Sequence, residues 1–132
     1  MESRRTATVL AGWATAAQVV GDQSVITISS LSTEYIQVPV EATVAGNAYN
    51  PTSDVVQFAF KLPDAGNPTS GDWHNGSWDT TATGGYLAQC LVGPGVGGVV
   101  LAASSPAAYT IWVKITDSPE VPVHNAGLLK IV

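Results

Sequence analysis

His74 stands between Asp72 and Asp79, and an imidazole near carboxylates could serve general acid–base chemistry or a metal. A metal centre, however, needs three or four ligands with an ordered surround. The chain carries two histidines, His74 and His124, and one cysteine, Cys90. His74 is therefore read as a loop histidine packed beside Trp73 and Trp78. No Gly-x-Ser-x-Gly elbow accompanies the many serines. The run Gly93-Pro94-Gly95-Val96-Gly97-Gly98 lacks the Gly-Lys-Ser/Thr ending of a phosphate cradle and reads as a flexible turn. Asp117 and Glu120 share one loop, too few oxygens for calcium, so a structural turn is expected there. Cys90, inside the strand-like run 86–92, reads as a small buried hydrophobe. The expectation is a chain with no catalytic residue, no metal and no cofactor, and hence no enzyme.

Binding chemistry is better represented. Trp73, Trp78 and Tyr86 could present rings to a sugar, because an aromatic face covers a pyranose well. They are equally able to plug the open end of a core. Asn75-Gly76-Ser77 matches a glycosylation acceptor but has no convincing leader before it. Trp112 is distinctive because its neighbours set its phase. Tyr109, Ile111, Val113 and Ile115 alternate with Thr110, Lys114 and Thr116, so Trp112 falls on the polar face. An indole there, beside Lys114, suggests a partner surface. Leu10 and Trp13, in the first 22 residues, also need an apolar partner.

The elements that would hold these residues are strands. Residues 1–22 are rich in Ala, Thr and Val. Val9, Leu10, Trp13, Ala16, Ala17 and Val20 suit a helical stripe, while Thr and Val suit an extended arm. From Ser24 the pattern is β: Val25–Ile28; Tyr35–Val44, where Pro39 suggests an edge or a bulge; Val56, Phe58, Phe60 and Leu62; Ser77–Thr81; Gly85–Val92; Val99–Ala102, reached by a hairpin; 108–117; and Leu128–Val132. Turn signals every 8–12 residues predict an all-β fold, an immunoglobulin-like antiparallel β-sandwich of about seven strands. The division expected is an N-terminal arm, 1–22, and a sandwich, 23–132.

Bulk composition agrees. The chain of 132 residues is one domain long, and that size buries roughly two-thirds of the unfolded surface. Apolar residues make up 45% and charged ones 11%, leaving a surface of Ser, Thr, Asn, Gln and Gly suited to life in an assembly. Five basic against ten acidic residues, net −5, repel a phosphate backbone, so nucleic acid is not an expected direct partner. Residues 2–20 loosely imitate a signal peptide, but Thr, Gly and Gln dilute the apolar run. No stretch reaches the roughly 20 apolar residues a bilayer requires, and no membrane role is expected.

The second half resembles small virion proteins of tailed bacteriophages, particularly those infecting actinobacteria. The likeness rests on Gly71-Asp72-Trp73-His74 with Gly76-Ser77-Trp78, on 86–94, and on 109–117 with Pro119-Glu120-Val121-Pro122-Val123. Ser32-Thr33-Glu34-Tyr35 and Asn50-Pro51-Thr52 also fit. The resemblance implies an immunoglobulin-like structural protein of the virion, assembled in the bacterial host cytoplasm. It would decorate the capsid or complete the head–tail junction. Its partners would be major capsid, neck or tail subunits and further copies of itself, met through Leu10, Trp13, Trp112 and Lys114. A glycan-binding host-adhesion module using Trp73, Trp78 and Tyr86 is the competing expectation.

Overall fold

A computed structural model describes residues 5–9, 25–44, 47–48, 50–79, 86–104, 106–116 and 121–132. The described residues form two packed β-sheets. Sheet I orders its strands β1 (Arg5–Val9), β3 (Glu34–Val44), β8 (Tyr86–Val92) and β7 (Ser77–Trp78), with β4 (Asn47–Ala48) also on β3. Sheet II runs β2 (Val25–Ile28), β10 (Val123–Ile131), β9 (Tyr109–Thr116), β5 (Val55–Lys61) and β6 (His74–Asn75). Seven of these ten strands have four or more residues. Lettered in the immunoglobulin way, sheet I is A-B-E-D and sheet II carries C-F-G, so the fold is an immunoglobulin-like sandwich. One ladder departs from the antiparallel expectation: β2 runs parallel to β10, Val25 opposite Leu128 and Ile28 opposite Ile131.

The period of two accounts for the core. Ile36, Val38 and Val40 on β3 and Ala88, Cys90 and Val92 on β8 face Val56, Phe58 and Phe60 on β5 and the four alternating residues of β9. All are buried, Phe58, Val113 and Ile115 completely. Burying an aliphatic or aromatic side chain of this size contributes roughly 1.5–3 kcal/mol before chain entropy is subtracted. Tyr109 opens β9 and its hydroxyl donates to the Ala102 carbonyl at 2.9 Å, tying the crossing segment 99–108 to the strand.

Two glycines set close approaches. Gly76 carries the chain from β6 in sheet II to β7 in sheet I, and its N–H donates to the Val56 carbonyl. A Cβ there would lie 2.7 Å from the Gln89 carbonyl oxygen and 2.8 Å from the Phe58 ring. At Gly93, φ is +140° and a Cβ would lie 2.2 Å from the Ser32 carbonyl oxygen.

Several expectations need correction. Pro39 marks neither an edge nor a bulge. β3 lies between β1 and β8, Pro39 pairs with Leu87 without a register shift, and the described β1 ladder takes in residues 40–44. Val99–Ala102 is not a strand reached by a hairpin. Val99 makes a single parallel bridge to Val92 and the chain then crosses to sheet II. β10 starts at Val123, not Leu128, because a bulge between Asn125 and Gly127 reverses its phase. Before it odd-numbered Val123 is exposed; beyond it odd-numbered Leu129 and Ile131 are buried. Of the two conformations expected for the arm, Arg5–Val9 takes the extended one, as a strand of sheet I, so Val9 joins no helical stripe. Leu10 and Trp13 lie outside the described residues, as do Asp117 and Glu120.

Candidate functional site

The outer face of sheet II is built in rows by its register. Lys61 lies opposite Thr110, Ala59 opposite Trp112, and Gln57 opposite Lys114; on the other side Asn125 pairs with Trp112. This confirms the phase inferred for Trp112, which shares its face with both lysines. The face is not open, however. After β5 the chain makes two short 3-10 turns, Pro63–Ala65 and Ser70–Asp72, and returns over its own sheet. The Asp72 carboxylate reaches the Lys61 ammonium at 3.0 Å, and the Lys114 ammonium lies 4.5 Å from the centre of the Trp73 ring. Asp72–Trp73 thus straps the two outer rows, with the Ala59·Trp112 row between them. Ala59 is completely buried and Trp112 half-buried. The Trp112 indole N–H is hidden from solvent without a hydrogen-bond partner, a cost of roughly 1–3 kcal/mol.

The strap is locally well made. Asp72 closes a capping box with Thr69, accepting from its N–H at 2.7 Å and its hydroxyl at 3.0 Å. The Thr69 N–H, then the Lys61 ammonium, holds the Asp72 carboxyl down at about 2, from an ordinary value of 3.8.

One end of the sandwich differs in character. The turn Ser29–Thr33 and the glycine-rich loop 93–98 meet there, the Gly95 N–H donating to Thr33 Oγ1 at 2.8 Å. Between them runs a cleft of about 30 Å³, bordered by Ser30, Ser32, Pro94 and Val100. Leu31 is 86% exposed, Val96 fully exposed and Val100 73% exposed. These three aliphatic side chains stand on loops whose backbones are fixed against each other.

The outer face of sheet I is polar at its centre. Gln37 Nε2 donates to Asp79 Oδ2 at 2.9 Å and to Gln89 Oε1 at 2.8 Å, and Gln89 Nε2 donates to Ser77 Oγ at 3.3 Å. Asp79, Asp72 and His74 therefore do not gather into one acid–base group. Asp79 belongs to this ladder, Asp72 to the strap, and the exposed His74 tilts against Phe60 with ring centres 6.5 Å apart. His74 was expected beside Trp73 and Trp78; its ring contact is with Phe60.

The three candidate sugar-binding rings are also separated. Trp73 belongs to the strap on sheet II. Trp78 and Tyr86 occupy inward-facing positions of sheet I, Trp78 opposite buried Ala88 and Tyr86 opposite buried Val40. Trp78 packs on the core and donates its indole N–H to the Asp54 carbonyl at 2.9 Å. Cys90 is buried as expected, and desolvation pushes its thiol up to about 11.

No family model, curated protein or solved structure matches this chain. Sequence reasoning missed the Leu31–Val96–Val100 end, although a signal was present. Leu31 is the one large apolar residue in Ser29-Ser30-Leu31-Ser32-Thr33, and Val96 is flanked by glycines. An aliphatic side chain in a turn that favours polar residues has no local purpose.

Proposed function

We propose that the chain is a structural module of a tailed-bacteriophage particle, binding other virion proteins and copies of itself as a capsid decoration or at the head–tail junction. The observation that carries an assembly role is the apolar end. Leu31, Val96 and Val100 are exposed on two mutually fixed loops, and preorganised aliphatic contacts cost little further ordering when a partner covers them. The phage setting is taken from the resemblance read in the sequence, over most of residues 30–132. Trp112 and Lys114 are a second contact region, with Trp112 partly covered by its own chain.

The glycan-adhesion reading through Trp73, Trp78 and Tyr86 has less support, because two of its three rings sit on the inner face of sheet I.

Quantitative mass spectrometry of purified particles tests the assembly reading. The unmodified chain is expected among the virion proteins at a fixed copy number. The double variant Leu31→Asp, Val96→Asp is expected to fall tenfold or more in incorporation while its thermal midpoint stays within a few degrees. Full incorporation of that variant, or absence of the unmodified chain from particles, overturns the proposal.

A further inference from the structure

Trp73, His74 and Asn75 form one wall of an open groove of about 670 Å³, and the segment from Gly97 to Leu101 forms the other. The first wall is the free edge of sheet II; the second is the chain leaving the glycine-rich loop. Among the described residues, neither the His74 ring nitrogens nor the Asn75 amide nitrogen has a hydrogen-bond partner. Asn75 Oδ1 accepts only a long 3.3 Å bond from Gln57. Trp73 is already oriented, because the Lys114 ammonium sits over its ring. Among the described residues that line it there is no Lys, Arg, Asp or Glu.

We infer that this groove binds an uncharged saccharide. An indole ring can cover the apolar face of a sugar while imidazole and carboxamide groups bond its hydroxyls, and the volume is that of a small-ligand site. Among the described lining residues none carries an ion to pair with a uronate or phosphate, and the neighbouring Lys114 ammonium is stacked on the Trp73 ring. A peptide added as a strand suits it less well: β6 has two residues, too short an edge for the run of main-chain bonds such binding needs. The site differs from the trio Trp73, Trp78 and Tyr86, since it uses Trp73 with its own sequence neighbours and the loop opposite. It shares Val100 with the apolar end but does not rest on the assembly reading.

The test is an NMR titration of the ¹⁵N-labelled full chain with neutral di- to tetrasaccharides of glucose, galactose, arabinose and N-acetylglucosamine. A uronic-acid oligomer and an extended hexapeptide are the comparators. At least one neutral sugar is expected to shift the amides of His74, Asn75, Gly97 and Val100 and the Trp73 indole N–H saturably, with millimolar affinity. The Trp78 and Trp112 indole signals stay in place. Trp73→Ala weakens that binding tenfold or more. Asn75→Ala, on an exposed strand edge where folding is not at stake, weakens it at least threefold. Leu31→Asp, at the part of the apolar end that does not line the groove, leaves it unchanged, so loss of assembly and loss of sugar binding are read apart. No shift with any neutral sugar, shifts centred elsewhere, or a groove that answers only to the peptide or the uronate would overturn the inference.

Discussion

The outer faces of the two sheets solve one problem in opposite ways. Sheet I crosses three strands with a ladder of amides, a hydroxyl and a carboxylate, in which Gln37, Gln89, Ser77 and Asp79 bond one another. Sheet II puts a large ring opposite a small one-carbon side chain, Trp112 against Ala59, and straps the row with Asp72 and Trp73. The first face is held by directional bonds that water can replace. The second is a small apolar core outside the main one, closed by the chain itself. Polar alternation marks which side of a strand faces outward. It does not say whether that side stays wet.

The sharpest way to break this contrast is Ala59→Leu. On an open strand face the added carbons would be neutral or mildly favourable, whereas beneath the strap they overpack the Trp112 row, at a cost of about 2–3 kcal/mol in urea unfolding. A loss below about 0.5 kcal/mol would show that the row is open. Next comes Gln37→Leu on sheet I, which removes both Nε2 hydrogen bonds and is expected to cost about 1 kcal/mol by the same measurement.

The two indoles give a finer comparison. Trp78→Phe deletes a satisfied N–H donor and core volume, for an expected loss of about 1–2 kcal/mol. Trp112→Phe deletes a buried donor with no partner, so the change should be about 0.5 kcal/mol or less, of either sign. Equal losses for the two variants would mean that the Trp112 N–H finds a partner in solution.

The smallest effect is a titration. The Asp72 pKa is lowered on folding, so the strap's contribution is fully present above the ordinary value of 3.8. It is lost as pH falls through about 2. Carboxyl ¹³C shifts should give a midpoint near 2, and Lys61→Gln should move it upward. A midpoint near 3.8 in the unmodified chain would remove both the cap and the ion pair.

The inner faces were legible in the sequence, because a strand buried on one side writes its core at every second position. Ile36, Val38 and Val40, Val56, Phe58 and Phe60, and Tyr109, Ile111, Val113 and Ile115 are all buried as their alternation requires. Cys90 followed from its place in such a run. Legibility failed where the backbone changes phase or doubles back. The bulge between Asn125 and Gly127 interrupts the alternation of β10, so only Leu128–Val132 reads as a strand in the sequence. Val99–Ala102 has strand composition, yet it follows a loop that returns the chain parallel to its origin. The sequence leaves Trp78 open between a sugar-binding ring and a plug of the core, because Gly76, which passes the chain between sheets, looks like any turn glycine; it packs on the core. Trp112 was placed on the correct face, but its cover lies some forty positions earlier in the chain, beyond any local pattern.

The parallel ladder between β2 and β10 has a mechanical consequence. Force that separates the start of β2 from the end of β10 acts along both strands in opposite senses, so their hydrogen bonds are loaded together in shear. An antiparallel pair pulled apart from one shared end would instead unzip bond by bond. Traction delivered through those two points therefore meets the sandwich where it resists rupture best.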